Sequence, residues 1–435
     1  MKPEVEKIID KDRKYVIHGW GYSSTIFVEG RGTIVKDLQG REYIDCMSGS
    51  AGPMSLGYAN PRVLEAVRKQ MTLPHVFHGY VNIPRVELAE KVARISPRGL
   101  TKSWFGCGGG DANETALKAA MKYTKKKEVI SLYDAYHGMT IGLQALMQPR
   151  LREGLPIIPG FRQIPPAYCY RCYYGQDYPG CDYECARALE TTIKHETYGD
   201  VAAFILEPIQ GQAGHVYPPD QEYAKIVRET CEKYGIVVVA DEVQTGFGRT
   251  GKMWACEYIG LKPDIITAGK IVGGGFPLSI AIMRDDIAEN VFRGQDPMFW
   301  WHSLTHGGAP FACAIGSAVL DYMLEIGSME LAERMGEYFI RRCNELKNKH
   351  QIIGDVRGPG LYTALELVKD RETKEKATDE ALKVVKNCFE RGVIFGLSLQ
   401  AGIGNVIKTK PPFTITQSEA KRAIDILDDA LENAK

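Results

Sequence analysis

The sequence has no excess of either charge: lysine plus arginine number 54, and aspartate plus glutamate number 54. So balanced a chain has no field with which to gather nucleic acid or an anionic membrane surface. The Lys125–Lys127 run is short and reads as a solvated helix end. Long apolar stretches able to span a bilayer are lacking. The opening segment, Met1 to Arg13, is highly charged and has no apolar centre of the kind a secretion signal carries. A cytosolic location is the expectation. Repeats and low-complexity linkers are also absent. Cysteine is not scarce, but eleven is an odd number, and all but one cluster are scattered. That pattern argues against a disulfide framework.

At 435 residues, with 44% hydrophobic and 25% charged, the chain is long enough for a large core and two domains. Its middle alternates short β-branched runs with helical patterns, the signature of a parallel sheet covered by helices. Val201–Leu206, Ile236–Ala240 and Ile265–Ala268 read as buried strands. Each runs into an ionisable residue: Glu207, Asp241 and, after Gly269, Lys270. In open α/β sheets, ligands bind outside the carboxyl ends of strands. A helix cap would account for Glu207 or Asp241 singly, but not for all three beside glycine-rich segments.

Beyond residue 330 the character changes. Amphipathic patterns over Met329–Lys347 and Asp379–Arg391 are interrupted by strand-like Leu361–Val368 and Val406–Lys408. The expected fold is α/β: a large domain with a mostly parallel sheet, over 56–325, and a smaller α+β domain over 326–435. The N-terminal segment 1–55, with strands around Thr25–Cys46, is expected to join the smaller domain.

Lys270 lies after a buried strand and before Gly273, Gly274 and Gly275, where backbone can approach a ligand closely. A partly desolvated lysine loses its proton more readily and can form a Schiff base. Alone, such a lysine would be read as a surface loop residue. Asp241 supplies what a pyridine cofactor needs, a carboxylate that keeps the ring nitrogen protonated so that the ring accepts electrons. Val243, two positions on, is placed to pack against the ring, and Gln244 to bond its phenolic oxygen. The glycines of Gly106–Gly110 run into a good helix former, which suits a phosphate. A tight turn is the plainer reading of that run, and its spacing does not match a dinucleotide fingerprint. In Ala135–Thr140, Tyr136 stands beside His137, as a stacking aromatic or a half-buried core tyrosine.

Taken in order, these pieces resemble the class III aminotransferases, fold type I pyridoxal-phosphate enzymes. The matching segments are Gly108–Glu114 (GGGDANE), Tyr136–Gly138 (YHG), Glu207–Gly211 (EPIQG), Asp241–Gly251 (DEVQTGFGRTG) and Thr267–Leu278 (TAGKIVGGGFPL). Thr305–Ala312, Val356–Leu361 and Asn405–Phe413 (NVIKTKPPF) follow, so that the likeness covers nearly the whole chain from about residue 25. The resemblance implies that Lys270 carries the cofactor as a Schiff base and moves the proton between carbon atoms, with Asp241 paired to the pyridinium. It implies phosphate bound by Gly109 and Gly110, the ring between Tyr136 and Val243, and His137, Glu207 and Gln244 around it. It also implies a homodimer in which Thr305 reaches the phosphate of the neighbouring subunit.

The chain departs from that pattern in ways that bear on substrate. Gly108 and Gly110 stand where the family often has hydroxyl residues, and Asp111 where it often has glutamate. Met139 follows the YHG tripeptide, where members acting on 4-aminobutyrate carry an arginine for a distal carboxylate. Methionine cannot form that charge-assisted pair, so pyruvate or glyoxylate is expected as acceptor rather than 2-oxoglutarate. Lys408 replaces an arginine that clasps the α-carboxylate, and a lysine is a point charge rather than a fork. It would bind a carboxylate or phosphate, or close an ion pair with Glu207. Phe299, Trp300 and Trp301 are candidates for an aromatic pocket wall or a dimer interface.

One feature lies outside the resemblance. Cys169, Cys172, Cys181 and Cys185 have a spacing that could hold structural zinc or an iron–sulfur centre. The expected function is an aminotransferase moving an amino group from an amine or amino acid to a small 2-oxo acid. A racemase or epimerase, a decarboxylating transaminase and a phospho-lyase are the alternatives on the same scaffold. A cofactor-free metal-binding protein and a nicotinamide dehydrogenase are those outside it.

Overall fold

The computed structural model of the chain describes residues 3–19, 23–75, 79–293, 301–398 and 403–434. Its centre is a seven-stranded sheet in the order Leu100–Gly106, Ser279–Arg284, Ile265–Ala268, Val237–Asp241, Val201–Leu206, Glu128–Leu132, Phe161–Ile164. All neighbours are parallel except Ser279–Arg284, which runs antiparallel to both strands beside it. Successive residues of Val237–Asp241 serve opposite faces. Val237 and Val239 join Ala112, Ala116 and Ala120 in one apolar cluster, while Val238 and Ala240 join another. Burial on both faces is why this strand is an uninterrupted apolar run rather than an alternating one.

Two of the expected inner strands occur with the bounds read from the sequence. The third begins one residue later, because the amide of Ile236 donates to the carbonyl of Cys231 and closes the preceding helix, Glu222–Tyr234. Gly235, at φ +60°, makes that turn. The shift makes Asp241 the last strand residue rather than the first loop residue.

Two four-stranded sheets complete the chain. One is antiparallel and comprises Ile353–Arg357, Thr363–Leu367, Val406–Thr409 and Gly396–Leu397. The other joins the chain's two ends: strands Phe27–Arg31, Ile34–Asp37 and Glu42–Asp45 are followed by Val393–Ile394, which lies parallel to Glu42–Asp45. Helices Ser328–Lys349, Thr378–Glu390 and Gln417–Glu432 pack on these sheets or on one another through faces rich in Ala, Leu and Val. Among the described residues no single helix is long and apolar enough to cross a membrane.

Candidate active site

Strand register gathers the ionisable residues. Leu206 is paired with Ala240, and Asp241 with Thr267, so the three strands finish at one edge of the sheet. Glu207, Asp241 and Lys270 all line a cavity of about 220 Å³ there. Gly109, Gly110, Tyr136, His137, Met139, Val243 and Gln244 line it as well.

Asp241 is 3% exposed and held from several sides. Its Oδ2 accepts from Asn113 Nδ2 at 2.7 Å and His137 Nδ1 at 2.8 Å, and its Oδ1 accepts from the amide of Val243 at 3.1 Å. Asn113 is itself fixed, accepting from Thr267 Oγ1 at 2.5 Å and donating to the carbonyl of His137 at 2.7 Å. A buried carboxylate pinned by donors on both oxygens stays in one orientation. His137 therefore acts on Asp241, and its other ring nitrogen is buried without a partner.

Lys270 has φ +43°, a left-handed conformation that side-chain-bearing residues seldom adopt. It follows Gly269, and burial holds its amine below the usual lysine range, against the opposing pull of Asp241 and Glu207. Glu207 accepts from the amide of Tyr136 at 2.9 Å and that of Gly211 at 2.8 Å. Burial and the nearby Asp241 push its carboxyl up. Burial likewise raises the Tyr136 phenol.

Across the cavity, helix Gly109–Thr124 starts with Gly108 as its N-cap. Asp111 Oδ2 accepts from the amides of Cys107 and Gly108, each at 2.9 Å. Gly109 and Gly110 come next, in the helix's first turn, where amides have no acceptor within the helix. Two donors at the positive end of a sixteen-residue helix suit a phosphate. The fit is close, since a Cβ on Gly109 would lie 2.6 Å from Val243 Cγ1. Together the amides, the oriented carboxylate, the buried amine and the bordering Tyr136 and Val243 match what phosphate, pyridine nitrogen, aldehyde and ring of pyridoxal phosphate require.

A family model for class III aminotransferases matches residues 19–431. The chain belongs to that family. Among its relatives is a leucine/methionine racemase of Thermococcus litoralis, 38% identical over 420 residues, which cover 95% of this chain and 92% of that protein. An acetylornithine aminotransferase of Methanocaldococcus jannaschii is 33% identical over 439 residues, covering 99% of each. Among solved structures, a Bacillus anthracis aminotransferase superposes with a TM-score of 0.91 at 32% identity, covering 100% of this chain and 99% of that one. An omega transaminase of Pseudomonas jessenii, solved with PMP, gives 0.91 at 29% identity over 98% and 97% of the two chains. The class III aminotransferase is therefore a pyridoxal-phosphate enzyme of fold type I.

Several expected residues lie elsewhere. Lys408 is 3% exposed and does not line the cavity. Its ammonium donates to the carbonyl of Gly211 at 3.2 Å and to Gln212 Oε1 at 3.0 Å, and makes no ion pair with Glu207. Burial brings its pKa down to about 8. Thr305 is exposed, in a turn away from its own chain's cavity. Phe299 and Trp300 lie outside the described residues. Trp301 packs against Phe292 and beneath Lys122, 4.1 Å from its ring centre, rather than on the cavity wall.

A metal centre at the four clustered cysteines is not supported. Among the described residues no three of Cys169, Cys172, Cys181 and Cys185 bring their sulfurs within 4.8 Å of one another. The segment is held by its other side chains. Tyr168 and Arg171 bond to the buried Glu366, Lys374 donates to the carbonyl of Tyr170 at 2.9 Å, and Tyr178 and Tyr183 bond to Asp220. The set that does converge is His350, Asp428 and Glu432, where Lys349 already pairs with both acids.

Two residues passed unremarked in the sequence now stand out. Asn113, within GGGDANE, is a polar residue on a buried alanine-rich helix face. Lys410, two positions after Lys408, is 1% exposed beside Gln244.

Proposed function

We propose that this class III aminotransferase moves an amino group from an amine or amino acid to a small 2-oxo acid, pyruvate or glyoxylate in preference to 2-oxoglutarate. The observation that carries the reading is the state of the bases around the cavity. Glu207 and Asp241 accept hydrogen bonds from named neighbours, whereas the Lys270 amine makes none among the described residues. One uncommitted base of lowered pKa suits carrying a proton between two carbons on one face, as transamination requires.

In this reading Gly109 and Gly110 would hold the phosphate, Asp241 would pair with the pyridine nitrogen, and Lys270 would be the amine that holds the cofactor. Tyr136 and Val243 would border the ring, and Gln244 would donate to its phenolic oxygen. When bound, pyridoxal phosphate supplies a carbonyl that condenses with amines and a ring that accepts electrons. Lys270 Nζ would take the substrate's proton and return it from its place on the cavity wall. Met139, 55% exposed at the mouth, offers a thioether where a distal carboxylate would need a cation. Lys408, buried outside the cavity and bonded to Gly211 and Gln212, steadies the Gly211 turn beside Glu207 rather than reaching the substrate. The enzyme works as a cytosolic homodimer, with Thr305 serving the neighbouring site. Exposed Met71, Leu73, Tyr80, Val81 and Ile83 support a self-association face.

A second reading, amino-acid racemisation, is supported by the likeness to the leucine/methionine racemase. It needs a proton donor on the other face as well. Two assays separate the readings. A donor panel with pyruvate, glyoxylate and 2-oxoglutarate should give turnover with the first two, and strong turnover with the third would refute the role given to Met139. L-alanine or L-leucine without acceptor should give the 2-oxo acid stoichiometric with enzyme, whereas catalytic formation of the D-isomer would establish racemisation.

A further inference from the structure

Gln244 has two orientations that differ only in which end of its amide faces the cavity, and its neighbours choose between them. Its Oε1 accepts from Lys410 Nζ at 2.6 Å and from Tyr362 Oη at 3.3 Å. Both neighbours give a hydrogen to this oxygen. With the amide turned over, the oxygen would lose both of these bonds. The oxygen is therefore fixed on the Lys410 side, and Nε2 is left for the cavity that Gln244 lines with Lys270.

Lys410 is anchored for this purpose. Its amide donates to the carbonyl of Cys46 at 2.6 Å, and its carbonyl accepts from Ser48 Oγ at 2.6 Å. Its ammonium stands 4.7 Å from the ring centre of Tyr362. Gly211 closes the cluster, since a Cβ there would come within 2.6 Å of Gln244 Oε1. Among the described residues no carboxylate is hydrogen-bonded to Lys410. Burial and the neighbouring Lys408, Lys270 and Arg249 hold its amine well below the usual lysine range, against the pull of Glu207. A buried amine among cations is an unfavourable way to fill space. Its donor hydrogen, aimed at one oxygen, is what an apolar side chain could not replace.

We infer that Lys410 is a positioning residue that locks the Gln244 amide with Nε2 toward the cofactor's phenolic oxygen. The inference rests on the role proposed above for Gln244 as that oxygen's donor. The experiment uses holoenzyme reconstituted with pyridoxal phosphate and follows the pH midpoint of its visible absorbance, with thermal melting as a check on folding. Lys410→Met should move the midpoint by about half a unit to one unit, the equivalent of one hydrogen bond. Gln244→Ala should move it the same way, and Lys410→Met added to Gln244→Ala should move it no further. Tyr362→Phe, which removes the longer bond to the same oxygen, should give a smaller shift in that direction. It carries the test if the Lys410 variant does not fold.

A wild-type midpoint in Lys410→Met or, failing that variant, in Tyr362→Phe, while Gln244→Ala is shifted, would overturn the inference. Additive shifts in the double variant would do the same. Loss of the reading beneath it looks different: Gln244→Ala would then leave the midpoint where it is in the wild type.

Discussion

Replacing Gly109 by alanine adds one methyl group at the most confined point of the proposed cofactor site. Its Cβ would stand 2.6 Å from Val243 Cγ1 and 2.9 Å from Cγ2. Carbon atoms ordinarily settle about 3.5–4.0 Å apart, so Val243 has to retreat by roughly 1 Å. Backbone conformation is no obstacle, since Gly109 does not lie in the left-handed region, and alanine is favoured over glycine in a helix by up to about 1 kcal/mol. Crowding of this kind costs about 1–3 kcal/mol. In the apoenzyme the two effects partly cancel, and Tm should change by a few degrees at most. With cofactor the cost remains, because Val243 is pushed toward the space the ring would take. A loss of about 1–3 kcal/mol weakens binding roughly 5-fold to 140-fold. Titrating apoenzyme with pyridoxal phosphate by fluorescence quenching measures it. Val243→Ala in the same chain should recover most of the loss. Binding within twofold of wild type in Gly109→Ala, or a double variant no tighter than the single, would refute the packing argument.

Three more outcomes are expected. Because burial lowers Lys408 to about 8, its ammonium is present below that pH and is lost above it. The unfolded chain keeps that proton to higher pH, so thermal stability should rise between pH 8 and 10, and Lys408→Met should flatten the rise; melting curves between pH 7 and 10 decide this. Met139→Arg should raise kcat/KM for 2-oxoglutarate by about 10- to 100-fold, the worth of one charge-assisted hydrogen bond, while changing pyruvate turnover less. Asn113→Leu deprives Asp241 of a donor and leaves Thr267 Oγ1 without its acceptor. Cofactor affinity should fall by about 1–3 kcal/mol, seen as faster loss of visible absorbance on dialysis.

What could be read from the sequence followed from local rules. Buried parallel strands leave long apolar runs, and polar residues just beyond them have little to do except meet a ligand, so Glu207, Asp241 and Lys270 were visible together. The misses have a common cause, in that each depends on a partner far along the chain. Asn113 meets Asp241 across 128 positions, and Lys410 meets Gln244 across 166. Lys408 was weighed as a partner of Glu207, but Glu207 already accepts two backbone amides and Lys408 turns to Gly211 and Gln212. The cysteines drew attention by their spacing. Yet that segment is held through Tyr168 and Arg171 on Glu366, a contact no spacing within the segment could disclose.

The pairing of Glu42–Asp45 with Val393–Ile394 has a bearing on synthesis. Strand Glu42–Asp45 waits for a partner made roughly 350 residues later, about 20–70 s at ordinary rates of elongation. Through that interval the edge of Glu42–Asp45 presents unpaired backbone, with Tyr43 and Ile44 uncovered, a template for pairing with other nascent chains. Slowed elongation or loss of the last forty or so residues would thus be felt first as aggregation of the N-terminal strands, before any effect on the cavity they are far from in sequence.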